Sequence, residues 1–169
     1  MSTDYLLLDV DGVLNALASG QRARKEAWEQ VLTIQGYRIC VPLGTSEWVR
    51  ELQECCRIVW CSTWEKEACT VLAPRLGFGA DWPVVPINMP SRSDPGRRTL
   101  KLRSVKAWAE KNLAPGDRLA WVDDELAPDA WEWAAGCGRE CLLLAPDSRQ
   151  GWTREHVDAL VAFATRSKR

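Results

Sequence analysis

The sequence predicts an α/β domain in which a mainly parallel sheet carries helices on both faces. Continuous apolar runs alternate along the chain with segments of helical spacing. Because a strand buried on both faces is apolar at successive positions, such runs are typical of parallel sheets. The 169 residues are 46% hydrophobic and 27% charged, as in ordinary globular proteins. We therefore expect residues 1–169 to form a single domain.

Five apolar runs are the predicted strands, at residues 5–8, 57–61, 84–87, 119–122 and 141–145. Pro86 interrupts the third run, which makes it the weakest. Between the runs, a first helix is predicted from the shared face of Ala23, Ala27, Val31 and Ile34, and an extended piece follows at 37–43. A second helix begins at Thr45 or Ser46 as N-cap. Further helices are predicted over 64–76, ended by Gly77, and over 102–109, 129–135 and 157–164.

Composition excludes several classes of protein. The 22 basic and 23 acidic residues leave a net charge of −1, which argues against a dedicated duplex-DNA binder. No apolar run is long enough to cross a membrane, and the first residues lack the basic flank of a signal peptide. Seven cysteines without a CxxC pair, beside one histidine, predict reduced thiols rather than a zinc site. We expect a cytoplasmic protein.

Polar residues follow three of the predicted strands. They are Asp9 and Asp11, Ser62 and Thr63, and Asp123 and Asp124. In open α/β sheets, sites form outside the carboxyl ends of the strands, so these groups are expected to converge. Four carboxylates at one sheet edge predict a Mg²⁺ site, because hard oxygen ligands suit that ion. Such a metal can hold a phosphate and offset charge during phosphoryl transfer.

Each signal has a plainer interpretation when taken alone. Either aspartate pair alone is more typical of helix caps and turns, whereas both pairs at strand ends favour a metal site. Ser62 and Thr63 suit an ordinary helix N-cap, a role that is compatible with phosphate binding. Lys101 could balance the carboxylates, with Lys106 as the competing candidate and a solvated surface lysine as the alternative.

A basic segment covers residues 92–106, with six basic residues against one acid. Its local charge could steer an anionic substrate towards the predicted site. It could equally be a solvated loop.

These residues resemble the motifs of the haloacid dehalogenase (HAD) superfamily of phosphohydrolases. The chain has an apolar strand ending in Asp9-Val10-Asp11-Gly12 and a second ending in Ser62-Thr63. Lys101 then precedes a helix, and a last strand ends in Asp123-Asp124. The matches keep the family's order and span residues 6–125. The resemblance implies a three-layer, Rossmann-like fold.

The resemblance also implies a role for each residue. Asp9 would be the nucleophile and a metal ligand, and Asp11 the general acid/base that gives its backbone carbonyl to Mg²⁺. Ser62, or its neighbour Thr63, would bind the phosphate, and Lys101 would balance charge. Asp123 and Asp124 would complete the metal site, one directly and one through water. The implied activity is that of a phosphatase, a phosphoric monoester hydrolase with an aspartyl-phosphate intermediate.

Members of this superfamily often select substrates with a cap domain, and here neither insertion looks large enough for one. About 40 residues separate Leu14 from Arg57, and 37 separate Thr63 from Lys101. A capless member with an open site could admit a bulky phosphorylated substrate, including a polynucleotide or protein end.

Three hypotheses follow: a Mg²⁺-dependent phosphatase, a nucleic-acid 3′-end phosphatase of a repair type, and a non-catalytic binding protein with the same fold. The second hypothesis is motivated by Trp28 and Trp64, which we expect to be exposed. Aromatic side chains beside the basic segment could stack on the bases of a single strand.

Overall fold

The computed structural model describes residues 3–17, 28–79, 81–89 and 98–166. Its central sheet contains four parallel strands, which are β1 (Asp4–Leu8), β4 (Arg57–Trp60), β5 (Arg118–Val122) and β6 (Cys141–Leu144). They are hydrogen-bonded in the order β4-β1-β5-β6. The weak run at 84–87 joins them only through a single parallel bridge between Trp60 and Val84. The parallel sheet predicted from the apolar runs is therefore confirmed.

The sheet is covered on both faces, and successive strand residues alternate between two cores. Leu6 and Leu8 of β1 pack in one core, whereas Leu7 packs in the other. The first core includes residues of α1 (Thr45–Cys55) and α5 (Arg154–Thr165). The second includes residues of α3 (Leu102–Asn112) and α4 (Pro128–Gly136). Burial on both faces explains why the strands are apolar throughout, and the arrangement is the expected three-layer α/β fold.

The first predicted helix is wrong. Residues of β2 (Trp28–Ile34) form an antiparallel hairpin with β3 (Tyr37–Pro42), and Ala23 and Ala27 lie outside the described residues. The two-residue turn Gln35–Gly36 has positive φ at both positions, 52° and 82°, as in a type I′ hairpin turn. Strand pairing overrides an apolar spacing that also suits a helix. The extended piece predicted at 37–43 is confirmed as β3.

The start of α1 also differs from the prediction. Its N-cap is Gly44, in a left-handed conformation, rather than Thr45 or Ser46. The Glu29 carboxylate of β2 accepts hydrogen bonds from the backbone N–H of Gly44 at 3.0 Å and of Ser46 at 3.1 Å. A side chain from the hairpin therefore satisfies free donors at this helix terminus, a role that the sequence prediction gave to a local hydroxyl.

The helix predicted over 64–76 is present in two parts. A π-helical segment, Ala68–Leu72, leads directly into α2 (Ala73–Leu76). It ends at Gly77, whose φ of 73° gives the left-handed C-terminal residue expected from the sequence. None of the helices in the described part of the chain is long and apolar enough to cross a membrane.

Candidate functional site

Two aspartates follow neighbouring strands and meet at the carboxyl edge of the sheet. The backbone N–H of Asp9 donates to Val122 of β5, and that of Asp123 donates to Leu144 of β6. Asp9, Asp123 and the adjoining Asp124 each place a carboxylate oxygen within 4.8 Å of the others. We call these three residues the carboxylate cluster. The strand order thus joins motifs that are more than a hundred residues apart in sequence.

The Lys101 ammonium lies between two members of the carboxylate cluster. Its Nζ is 2.5 Å from Asp9 Oδ2 and 2.9 Å from Asp123 Oδ2. The exposed fractions of Lys101, Asp9 and Asp123 are only 6%, 3% and 1%. Of the two candidate lysines, the structure brings Lys101 to the carboxylates. Losing one partner of such a buried group of ions costs about 3–5 kcal/mol, because the remaining charge is left unpaired.

The loop before α3 is anchored so that Lys101 reaches the sheet edge. The Thr99 hydroxyl donates to Asp129 Oδ1 at 2.8 Å and accepts from the backbone N–H of Ala127, also at 2.8 Å. Thr99 is buried and stands two residues before Lys101. The start of α4 therefore positions the lysine loop.

Burial and repulsion from neighbouring carboxylates make Asp9 and Asp124 hold protons more tightly than free carboxyls, so the pKa of each is raised. Burial raises the pKa of Asp9 to about 7, although the Lys101 charge opposes the rise. Burial together with the Asp123 charge raises the pKa of Asp124 to about 6. Burial lowers the pKa of Lys101, but the two carboxylates outweigh it and leave that pKa raised. One ammonium thus compensates three carboxylates only in part, as expected for a site suited to a cation.

Backbone groups fix the remaining carboxylate oxygens. The N–H of Val10 donates to Asp9 Oδ1 at 2.7 Å, and the N–H of Glu125 donates to Asp123 Oδ1 at 3.0 Å. Gly12, with φ of 79°, lies against the carboxyl of Asp124 with no room for a Cβ between them. The glycine of the first motif therefore allows the segments that follow β1 and β5 to approach each other.

The Asp11 side chain is held apart from the carboxylate cluster. Its Oδ1 accepts a hydrogen bond from Asn15 Nδ2 at 2.8 Å, and its Oδ2 accepts one from Trp64 Nε1 at 2.9 Å. Asn15 in turn accepts a hydrogen bond from the backbone N–H of Cys40 in β3, at 2.8 Å. Both oxygens of Asp11 are thus oriented, and this acid is linked to the hairpin.

Ser62 and Thr63 occupy different environments. Ser62 is 1% exposed, and its Oγ accepts a hydrogen bond from the backbone N–H of Trp64 at 3.4 Å. Thr63 is exposed and lines a small cavity of about 120 Å³, together with Asp9 and Lys101. Asp11 and Asp124 also face this cavity. The cavity is where the sequence motifs meet.

The sequence predictions missed two residues that organise the site, and one contact of a third. Asn15 is four residues after Asp11, and Thr99 is two before Lys101, but neither position carries a motif. Trp64 was predicted only as a base-stacking residue, whereas its indole N–H is a hydrogen-bond donor to Asp11. Only the polar character of Asn15 and Thr99 beside motif residues could have drawn attention to them.

Part of the basic segment lies outside the described residues. Arg92 and Arg97 lie outside the described residues, whereas Arg98 and Arg103 are described and exposed. From this segment, Lys101 forms ion pairs with Asp9 and Asp123 of the carboxylate cluster.

A three-layer fold whose parallel strands end in this cluster is that of a HAD domain, a class whose members are generally phosphatases. Residues 5–157 match the family model described as the HAD domain in Swiss Army Knife RNA repair proteins. The chain therefore belongs to this family. Neither the curated proteins nor the solved structures contain a match to the chain.

Proposed function

We propose that this protein is a Mg²⁺-dependent phosphohydrolase that cleaves phosphate monoesters through an aspartyl-phosphate on Asp9. The observation that carries the proposal is the convergence of two buried carboxylates and a buried ammonium, with Lys101 Nζ 2.5 Å from Asp9 and 2.9 Å from Asp123. Ions are costly to bury, and buried ionisable groups with perturbed pKa values are concentrated at functional sites. Membership of the HAD class supports the same chemistry.

The residues present fit a hard divalent cation. The carboxylate cluster offers oxygen ligands within 4.8 Å of one another. Its three carboxyl groups can carry more negative charge than the positive charge of Lys101 neutralises. Asp9, Asp123 and Asp124, with the backbone carbonyl of Asp11, would hold Mg²⁺. When bound, the ion supplies positive charge to the phosphate oxygens.

Asp9 and Asp11 divide the bond-making and proton transfers between them. An Asp9 carboxylate oxygen attacks phosphorus, and the bond from phosphorus to the ester oxygen breaks. Asp11, in its acid form, gives its proton to the departing oxygen. The Asp11 carboxylate then takes a proton from water, whose oxygen attacks phosphorus and releases phosphate from Asp9. Each group returns to its starting state, with one water consumed.

The hydroxyl after β4 would bind the phosphate, with Lys101 beside it. Ser62 holds the motif position, and Thr63 is the alternative because it faces the small cavity. Parallel Ser62→Ala and Thr63→Val variants distinguish them, because the variant that lacks the binding hydroxyl shows the larger rise in KM.

The decisive variant is Asp9→Asn, which keeps the size of the side chain and removes the nucleophile. We expect turnover of an aryl phosphate to fall by a factor on the order of 10⁴ or more. The circular dichroism spectrum should be unchanged. Asp158→Asn, an exchange on the exposed face of α5, is the matched control and should retain full activity. Retained activity in Asp9→Asn contradicts the proposal. Mg²⁺ binding by the native protein, without turnover across a broad ester panel, indicates a non-catalytic binding protein instead.

A narrower candidate is a phosphatase for nucleic-acid ends, of the 3′-phosphatase type. The specific observation in its favour is the family itself, which is described from RNA repair proteins. Comparing a 3′-phosphorylated oligonucleotide with free nucleotides and sugar phosphates tests this candidate, and a preference for sugar phosphates contradicts it.

We also propose that residues 1–169 form one domain without a separate cap, since the described insertion after β1 is the hairpin β2–β3.

A further inference from the structure

A second, larger cleft adjoins the small cavity that contains the carboxylates. It has a volume of about 500 Å³, within the range of ligand-binding pockets. Its walls come from the segment after β1, the tip of the hairpin and the segment after β4. They include Asp11, Asn15, Gln35, Tyr37, Arg38 and Trp64. Asp11 and Thr63 line both spaces, so one molecule can extend from the first into the second.

The sizes of the two spaces suggest how a substrate divides between them. The small cavity, at about 120 Å³, is about a quarter of the size of the larger cleft, so the phosphate group is the part of a substrate that suits it. The remainder of a phosphate monoester then has more room in an adjoining space. The larger cleft is open to it beside Asp11 and Thr63.

The position of Asp11 identifies the larger cleft as the place of the leaving group. The two donors that orient the Asp11 carboxyl, Asn15 and Trp64, are themselves in the wall of this cleft. A general acid must lie within hydrogen-bond reach of the oxygen that it protonates. If Asp11 is that acid, as in the proposed function on which this inference rests, the departing alcohol lies on the side of the larger cleft.

The chemistry of the hairpin tip favours a nucleoside as the occupant. Tyr37 is 67% exposed and follows directly on the Gln35–Gly36 turn, which fixes its backbone. Next to it, Arg38 is exposed and has no ion-pair partner among the described residues. An aromatic face beside a guanidinium is the combination that binds a base and an adjoining phosphate of single-stranded nucleic acid. A sugar phosphate offers no aromatic ring to stack on Tyr37.

We propose that this cleft binds the terminal nucleoside of a phosphorylated nucleic-acid end, with the base on Tyr37 and the next backbone phosphate at Arg38. The terminal phosphate then occupies the small cavity. The hairpin contributes the specificity of the enzyme, because it carries both contacts and is linked to Asp11 through Asn15 and Cys40.

The test compares two substrates across variants of the hairpin tip. We expect Tyr37→Ala to lower kcat/KM for a 3′-phosphorylated tetranucleotide by about 5- to 150-fold, the range that corresponds to the loss of one base stack. Glycerol phosphate, which has no ring, should be turned over unchanged. Tyr37→Phe keeps the ring and should restore the oligonucleotide rate. Trp131→Ala is the matched control, because Trp131 is an exposed aromatic residue of α4 that lines neither space.

Arg38→Ala separates the backbone contact from the base contact. This variant should weaken turnover of the tetranucleotide but leave a nucleoside 3′-monophosphate unaffected, since the latter lacks a second phosphate. An equal loss on both substrates contradicts the assignment of Arg38.

The outcomes keep this inference distinct from the proposed function. If native protein hydrolyses none of these esters, the proposed function is wrong. If native protein hydrolyses them and Tyr37→Ala changes both substrates equally or neither, the enzymatic function stands and the nucleoside cleft is overturned. A preference for a phosphopeptide over the oligonucleotide, lost in Tyr37→Ala, means that the cleft binds a protein end and also overturns the proposal.

Discussion

Replacing Gly12 by alanine should damage the proposed metal site while leaving the fold largely intact. A Cβ at this position would stand closer than 3.0 Å to the Asp124 carboxyl, a separation that real Cβ atoms essentially never show. Ordinary contacts between carbon atoms are about 3.5–4.0 Å, so the carboxyl must move by about 1 Å or more. It can do so by rotating its short side chain. The movement separates Asp124 from Asp9 and Asp123, whose ligand atoms now lie within 4.8 Å of it.

The two consequences of Gly12→Ala have different magnitudes. A non-glycine residue in the left-handed region costs about 1–2 kcal/mol, and the free energy of unfolding should fall by that amount. Displacing a ligand should weaken Mg²⁺ binding by at least about 10- to 100-fold, the range reported even for residues that only orient ligands. The loss of metal affinity should therefore be large relative to the loss of stability.

Gly77→Ala provides the matched control. Gly77 has φ of 73°, close to the 79° of Gly12, but a Cβ there would meet nothing within 4 Å. Urea unfolding measures the shared backbone cost, and titration calorimetry with MgCl₂ measures the metal affinity. We expect equal destabilisation in the two variants and weakened Mg²⁺ binding only in Gly12→Ala. If Gly12→Ala binds Mg²⁺ as tightly as the native protein, Asp124 is not a ligand and the reasoning is refuted.

Three further predictions concern the charges and hydrogen bonds of the site. Lys101→Met should lower the unfolding free energy of metal-free protein, measured by urea unfolding at pH 8, by about 3–5 kcal/mol, because buried carboxylates lose their partner. The control Lys106→Met should change it by about 0.5 kcal/mol or less. Equal losses in the two variants would contradict the ion-pair geometry. The raised pKa of Asp9 means that the folded state binds more protons than the unfolded state between about pH 4 and 7, so the stability that protonated Asp9 contributes is lost as pH rises through 7. In the presence of a chelator, Asp9→Asn should therefore be more stable relative to native protein at pH 8 than at pH 5. Thermal melts of both proteins at the two pH values measure this difference, and the opposite sign would contradict the prediction. Trp64→Phe removes a hydrogen-bond donor to the Asp11 carboxyl. It should lower kcat by about 10- to 100-fold for esters with poor leaving groups, with a smaller loss for activated aryl phosphates. A uniform loss across leaving groups would show that Trp64 does not position the acid.

The hairpin shows why local patterns mispredicted one part of the chain. Val31 and Ile34 are three residues apart, a spacing that suits a helix face as well as a strand segment. In the structure Ile34 is buried and Val31 is 45% exposed, because pairing with β3 decides which side chains of β2 face the core. The turn signal Gln35–Gly36, with apolar runs on both sides, was the local evidence for a hairpin.

What the sequence determined by itself are the elements whose chemistry is local. Strands buried on two faces require unbroken apolar runs, and polar residues directly after them must emerge at one edge of a parallel sheet, so the fold class was readable. The position of Gly77 at a helix end was also readable, because a left-handed residue favours glycine wherever it occurs.

Only the tertiary structure decided how the side chains pair across the site. It selected Lys101 over Lys106, and it joined Asp11 to Trp64, 53 residues away in sequence. It also brought the hairpin tip to the open side of Asp11. Such choices depend on where packed layers place distant backbone segments, and a hydrogen bond a few ångströms long leaves no trace in the spacing of residues along a chain.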